Sequence, residues 1–317
     1  YSASGGDGGG VSLNGTSAIL ENCMIANNQN GLRASGGIVE ITHCTFSGNS
    51  GYALSLTGTP ATLTGNTFAG NSGAAITAVD RVPTLSGNTA SGNVINGVTL
   101  SGTIANNSTM SANLPWQLNG LTIGSGATLT MEAGVVAKLF QKAVTVNGTL
   151  VAEGVADAPV TITSLYDTTV APTFYSPSTP APVGGDWEWI VFGAGSGSST
   201  LTNTNIRYGG YRYTSGTVDA QVRSDGAAIM LDHVTVEKSF STARGVRLVG
   251  ANAILRDCVI RESTIGLAIE GGSPTVERCT FANNQYGITA SGGATPTFID
   301  LTFTGNTHNT DPATLWP

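Results

Sequence analysis

VEITHCTFSGNS, from Val39 to Ser50, is written again as ATLTGNTFAGNS, from Ala61 to Ser72. An earlier version, AILENCMIANNQ, occupies Ala18 to Gln29. TVERCTFANNQ (Thr275 to Gln285) and TPTFIDLTFTGN (Thr295 to Asn306) return to the same pattern far along the chain. Equivalent positions lie 21 to 22 residues apart in the early copies, a period that marks a repeat architecture. With Cys44 as reference, one column holds Cys23, Asn66, Asn88, Cys258 and Cys279. Two residues later stand Ile25, Phe46, Phe68, Ile260, Phe281 and Phe303, with a small or polar residue between. This inward–outward–inward alternation is that of a very short strand.

Five residues after the reference come Asn28, Asn49, Asn71, Asn93, Asn284 and Asn306. Asparagine tolerates the left-handed conformation, so these positions are expected to make a recurring sharp turn and to stack from coil to coil as a structural ladder. A second apolar pair follows each turn and a third precedes the reference, giving three short strands per repeat. Such a unit buries its apolar face only by stacking on its neighbours, each coil rising about 4.8 Å. The expectation is an all-β, right-handed parallel β-helix, the hand of parallel crossovers. Roughly 13 coils fit the chain, a rod about 60 Å long. The leucine spacing of leucine-rich repeats, which share the period, is absent.

Composition bounds the function. Of 317 residues only 10% are charged, and glycine alone accounts for 43. A net charge of −7 argues against a nucleic-acid surface. No apolar run reaches the length of a membrane-spanning helix. An acidic, lysine-poor chain rich in Thr, Asn and Gly reads as secreted, extracellular and cell-surface, with any signal peptide already removed.

Coils with Asn turns run through residues 1–110. From 111 the Asn turns vanish and longer Val/Leu/Thr strands alternate with glycine turns. The runs GATLTMEAGVVAKLF, VTVNGTLVAEGVADAPVTITS, GGDWEWIVF and NIRYGG resemble a cassette of secreted bacterial right-handed parallel β-helix repeat proteins, often long and surface-displayed. The resemblance covers residues 111–317, and residues 1–110 look like the end of a preceding cassette in one continuous solenoid. The resemblance implies the fold strongly and the function weakly, because the family includes adhesins, surface-layer-like proteins and carbohydrate-active proteins. Two segments, about 166–186 and 207–226, interrupt the rod as insertions.

Candidate sites follow. Cys23/Cys44 and Cys258/Cys279 stack on adjacent coils, either as packed thiols or as disulfides; no metal or cofactor is expected with them. Asn66 and Asn88 continue this column inward as an amide ladder. Outward, Thr45, Thr67 and Thr89 form a column for which ice binding is a minor reading. His43, His233 and His308 read as turn or surface residues. Asp219, Arg223, Asp225, Asp232 and Glu237 are the one dense charged region, without the repeated acidic signature of a polysaccharide-cleaving site, so no catalytic residue is assigned. The strongest surface signal is aromatic. Strand parity in WEWIVF sends Trp187 and Trp189 outward, and Tyr166, Tyr175, Tyr208, Tyr211 and Tyr213 crowd the adjoining insertions. Either the insertions cover the tryptophans, or these residues form a sugar-stacking platform or protein contact. Trp189 departs from the cassette, which commonly has a small residue there.

The function expected is that of an extracellular structural or adhesive β-helix, a subunit or segment of a surface fibre or layer. Its partners would be further copies or a neighbouring surface protein, met through coil ends or loops, with a glycan as a further class. Carbohydrate binding or polysaccharide cleavage near Trp187–Tyr213 is the alternative.

Overall fold

The computed structural model describes residues 9–175, 180–212 and 217–310. They form about 13 turns of a parallel β-solenoid. Strands are mostly three to six residues long, and no helix occurs among the described residues. A 20-stranded sheet runs the length of the molecule. Beside it in the N-terminal part lie two four-stranded sheets, ending at Thr84–Ser86 and Thr89–Ser91; an eight-stranded sheet begins at Ser108–Met110. Among the described residues only the long sheet crosses this seam, through Ala74–Val79, Ile95–Ile104 and Trp116–Ile123. The first of these pairings and the second each carry a register shift.

The doubled stretch stacks as its pattern requires. Phe46 pairs with Phe68, their rings 5.2 Å apart and nearly parallel, and Phe281 repeats this on Phe303 at 5.5 Å. Such contacts fill the interior, while Thr45 and Thr67 stand outside. Each coil bends at three corners, and each corner is commonly one left-handed residue. In the N-terminal coils these are Gly36 and Gly58, then His43 and Gly65, then Gly48 and Gly70. In the C-terminal coils the second and third corners use Asp257 and Arg278, then Glu262 and Asn283. A non-glycine residue here costs about 1 kcal/mol, which is why glycine and asparagine recur.

This corrects the turn expected of the asparagine column. Its members are not the left-handed turn residues; the residue before each of them is, as with Asn27 before Asn28 and Gly48 before Asn49. Asn49, Asn71 and Asn93 instead point inward and are buried. Asn49 donates from both its backbone N–H and Nδ2 to Asn71 Oδ1, at 3.0 and 2.8 Å, and Asn71 repeats this to Asn93. Each Nδ2 also donates to a carbonyl one coil back, Ile25 for Asn49 and Phe46 for Asn71. Asn28 enters the same ladder, and Asn284 and Asn306 form a short copy near the C-terminal end.

A parallel ladder runs through the reference column. Cys23 N–H donates to Cys44 Sγ, Cys44 N–H to Asn66 Oδ1, and Asn66 to Asn88 Oδ1. Asn88 closes on Asn113, which the sequence pattern had not singled out. A thiol thus takes the amide's place as acceptor. All four cysteines are free. Cys44, Cys258 and Cys279 are buried, but Cys23, expected inside, is exposed because no further strand stacks on Met24–Ala26 from the N-terminal side among the described residues.

Candidate functional site

Where the repeat is broken, the chain carries most of its buried charge. Residues 166–175 leave the solenoid and turn back towards its N-terminal end. Asn96 N–H donates to Phe174 O at 2.7 Å and Asn96 Nδ2 to Thr173 O at 2.6 Å. Asn96 is also the acceptor that ends the long asparagine ladder, bonded by Asn93 N–H and Nδ2. The insertion therefore caps the ladder at the seam. Lys138, 1% exposed, fastens it from below. Its Nζ donates to Asp167 O at 2.8 Å and Ala171 O at 3.2 Å and lies 5.3 Å from the Phe174 ring.

Asp167 is fully buried. It accepts from Thr163 Oγ1, Thr169 Oγ1 and Arg207 Nε at 2.6 to 2.7 Å. Burial alone would raise this carboxyl, but the threonine hydrogen bonds and the Arg207 guanidinium outweigh it and hold the group below the usual carboxylate range. Burial pushes Lys138 down to about 8, against the pull of Asp167. Asp186, also buried, is raised by desolvation despite accepting from Ser164 Oγ.

Stacking carries the charge onward as two outward columns. Lys138, Thr163, Arg207, Glu237 and Arg261 follow one another on successive coils. Arg207 bonds Asp167 at 2.6 Å and approaches Glu237, which also bonds Arg261 at 2.5 Å. In the second column, Arg223 lies over Arg247. Asp219 separates them: Oδ2 takes Arg223 at 2.6 Å and Oδ1 takes Arg247 at 3.0 Å, while Asp225 and Glu270 complete the pairs. Opposite charges thus alternate along the wall.

The aromatic residues are not a single platform. Trp187 is fully buried, contrary to the parity reading, because the strand starts only at Ile190 and parity does not extend back to Trp187. Its Nε1 donates to Arg207 O at 2.8 Å, and Gly209 packs so closely on the indole that a Cβ there would sit 2.7 Å from the ring. Trp189 is half-buried. Tyr208 is buried and accepts from Lys238 Nζ, Tyr211 stacks on Phe240 at 4.6 Å, and Tyr166 packs between Phe140 and Tyr175. Tyr213 lies outside the described residues. The second insertion is shorter than expected, since Ala220–Asp225 is a regular coil strand. Gln221, missed in the sequence, clamps its base: Oε1 accepts from Gly209 N–H, and Nε2 donates to Glu237 O and Ser239 Oγ.

The histidines occupy corners or edges. His43 and His233 are left-handed, and His308 stacks on Tyr286 at 4.9 Å. Asp232, His233 and Asp257 bring ligand atoms within 4.8 Å of one another. Arg278 already holds both Asp257 oxygens, at 2.8 and 2.7 Å, so a guanidinium stands beside the place a cation would take. A separate groove of about 720 Å³ lies at the seam and is lined mainly by threonine, serine and small apolar residues.

Parallel coils, inward ladders and three-cornered turns define a right-handed β-helix. The chain belongs to that family: the model of the right-handed beta helix region matches residues 4–149 and 190–310. No curated protein matches the chain in sequence. Among solved structures, the A-module of the mannuronan C-5 epimerase AlgE4 of Azotobacter vinelandii is similar at 10% identity and a TM-score of 0.35, over 96% of this chain and 89% of that one. The A-module of AlgE6 from the same organism has 10% identity and a TM-score of 0.32, over 96% and 91%. At that distance neither likeness bears on this chain's chemistry.

Proposed function

We propose that the chain is a structural, adhesive element of an extracellular surface, a stiff solenoid whose insertions strengthen its wall. The observation that carries this reading is the use made of the polar groups within and beneath the insertions. Lys138, Asp167, Trp187 and Gln221 are buried, and each is bonded to the backbone or side chains of neighbouring coils. Asp219 has both oxygens engaged by guanidinium groups, an arrangement suited to holding coils together rather than to accepting a proton from substrate. Fractionating the producing cells with an antibody to the chain tests the localisation, and incubation with a polysaccharide panel followed by product sizing and composition tests the chemistry. Surface recovery with unchanged polysaccharides is expected. Recovery in the cytosol, or turnover of any polysaccharide, would overturn the proposal, and turnover would favour the cleaving alternative.

A further inference from the structure

The groove at the seam lies on a different sheet from the insertions, and none of its residues takes part in the charged columns. It forms where Thr84–Ser86 has lost its next neighbour and Ser108–Met110 begins a new sheet. Its two sides differ in chemistry. On the N-terminal side Ile38, Pro60 and Val82 follow one another on successive coils, with Ile38 59% exposed. On the C-terminal side Thr109 and Thr130 are register partners, both facing out, and Thr84 reaches the groove from the coil before the seam. One cation, Arg81, and one anion, Glu132, complete the lining.

We propose that this groove binds a linear neutral glycan. A pyranose ring offers apolar C–H faces and a polar hydroxyl edge, which match an apolar side and a threonine side of one groove. The volume lies within the range of small-molecule sites, where a few placed polar groups set orientation. The balance of one cation and one anion favours a neutral chain over a polyuronate. An extended peptide adding to the strand edge is disfavoured, because Leu85 O on that edge already accepts from Ser111 Oγ at 3.3 Å.

The test is calorimetric titration of the full chain with cellohexaose, laminarihexaose and mannohexaose, beside a hexauronate and an alternating Thr/Val heptapeptide. At least one neutral hexasaccharide is expected to bind. The double variant Thr84→Val, Thr130→Val keeps β-branched strand residues and should weaken that binding about tenfold, while Trp189→Ala should leave it unchanged. Hydrogen exchange on the unaltered chain provides a readout that does not depend on a variant: the bound sugar should slow peptides spanning 105–112 and 126–133. Binding by the hexauronate or the peptide alone, unweakened binding in the double variant, protection elsewhere, or no binding by any neutral probe would overturn the proposal. Binding without turnover leaves the structural reading standing, so the two can fail separately.

Discussion

Single residues set the interior of this solenoid through their hydrogen-bond capacity. An asparagine amide in the ladder serves two neighbouring coils: its oxygen accepts from the preceding rung, and its nitrogen donates to the following rung and to a carbonyl one coil back. Asn71 accepts from Asn49 N–H and Nδ2 and donates to Phe46 O at 3.1 Å. Replacing it with alanine orphans the buried Asn49 N–H and removes a second donor from Phe46 O, and an unsatisfied buried group costs roughly 1–3 kcal/mol. Asn71→Ala should therefore lower the unfolding free energy by about 1–3 kcal/mol in urea titrations. A loss below about 1 kcal/mol would mean that water replaces the amide. The column and its stacking were visible in the sequence but its inward direction was not, because the same residue type suits both a left-handed turn and an inward ladder. The backbone decides between them one residue earlier, at Gly48 or Gly70.

Among elements, the first insertion depends on Lys138. The ammonium is buried, bonded to two carbonyls, and lowered to about 8 from its ordinary 10.5. Its folded-state value lies below its unfolded value, so between the two the folded chain binds fewer protons than the unfolded chain. Stability from this group therefore rises as pH climbs from about 8 to about 10.5 and is least below that window. Compared with Lys138→Met, the unaltered chain should gain on the order of 3 kcal/mol across the window in unfolding titrations at stepped pH. A constant difference would show that the charge is as well solvated folded as unfolded. In the sequence, Lys138 sits at an outward strand position and reads as a surface residue. Nothing local reveals that an insertion about 30 residues later folds down on it.

At the scale of the whole molecule, the period made the coils legible, since a face that cannot be buried alone must stack. It could not reveal the fate of the insertions, because their partners, Asn96, Lys138, Arg207 and Ser239, come from coils far apart in sequence. Trp187 illustrates the limit: alternation sends it outward only if the strand reaches it, and the strand begins at Ile190. If the insertions are wall rather than lid, they open only when the solenoid does. Residue-resolved hydrogen exchange at the amides of Asn96, Asp167 and Phe174, bonded to Phe174 O, Ser164 O and Ala171 O respectively, measures this directly. The expected result is that all three exchange at the slow rate of core strand amides such as Phe46 and that added polysaccharide leaves them unchanged. Fast exchange of Asn96, Asp167 and Phe174 while Phe46 stays protected would contradict it, because the segment would then open independently, as a lid does.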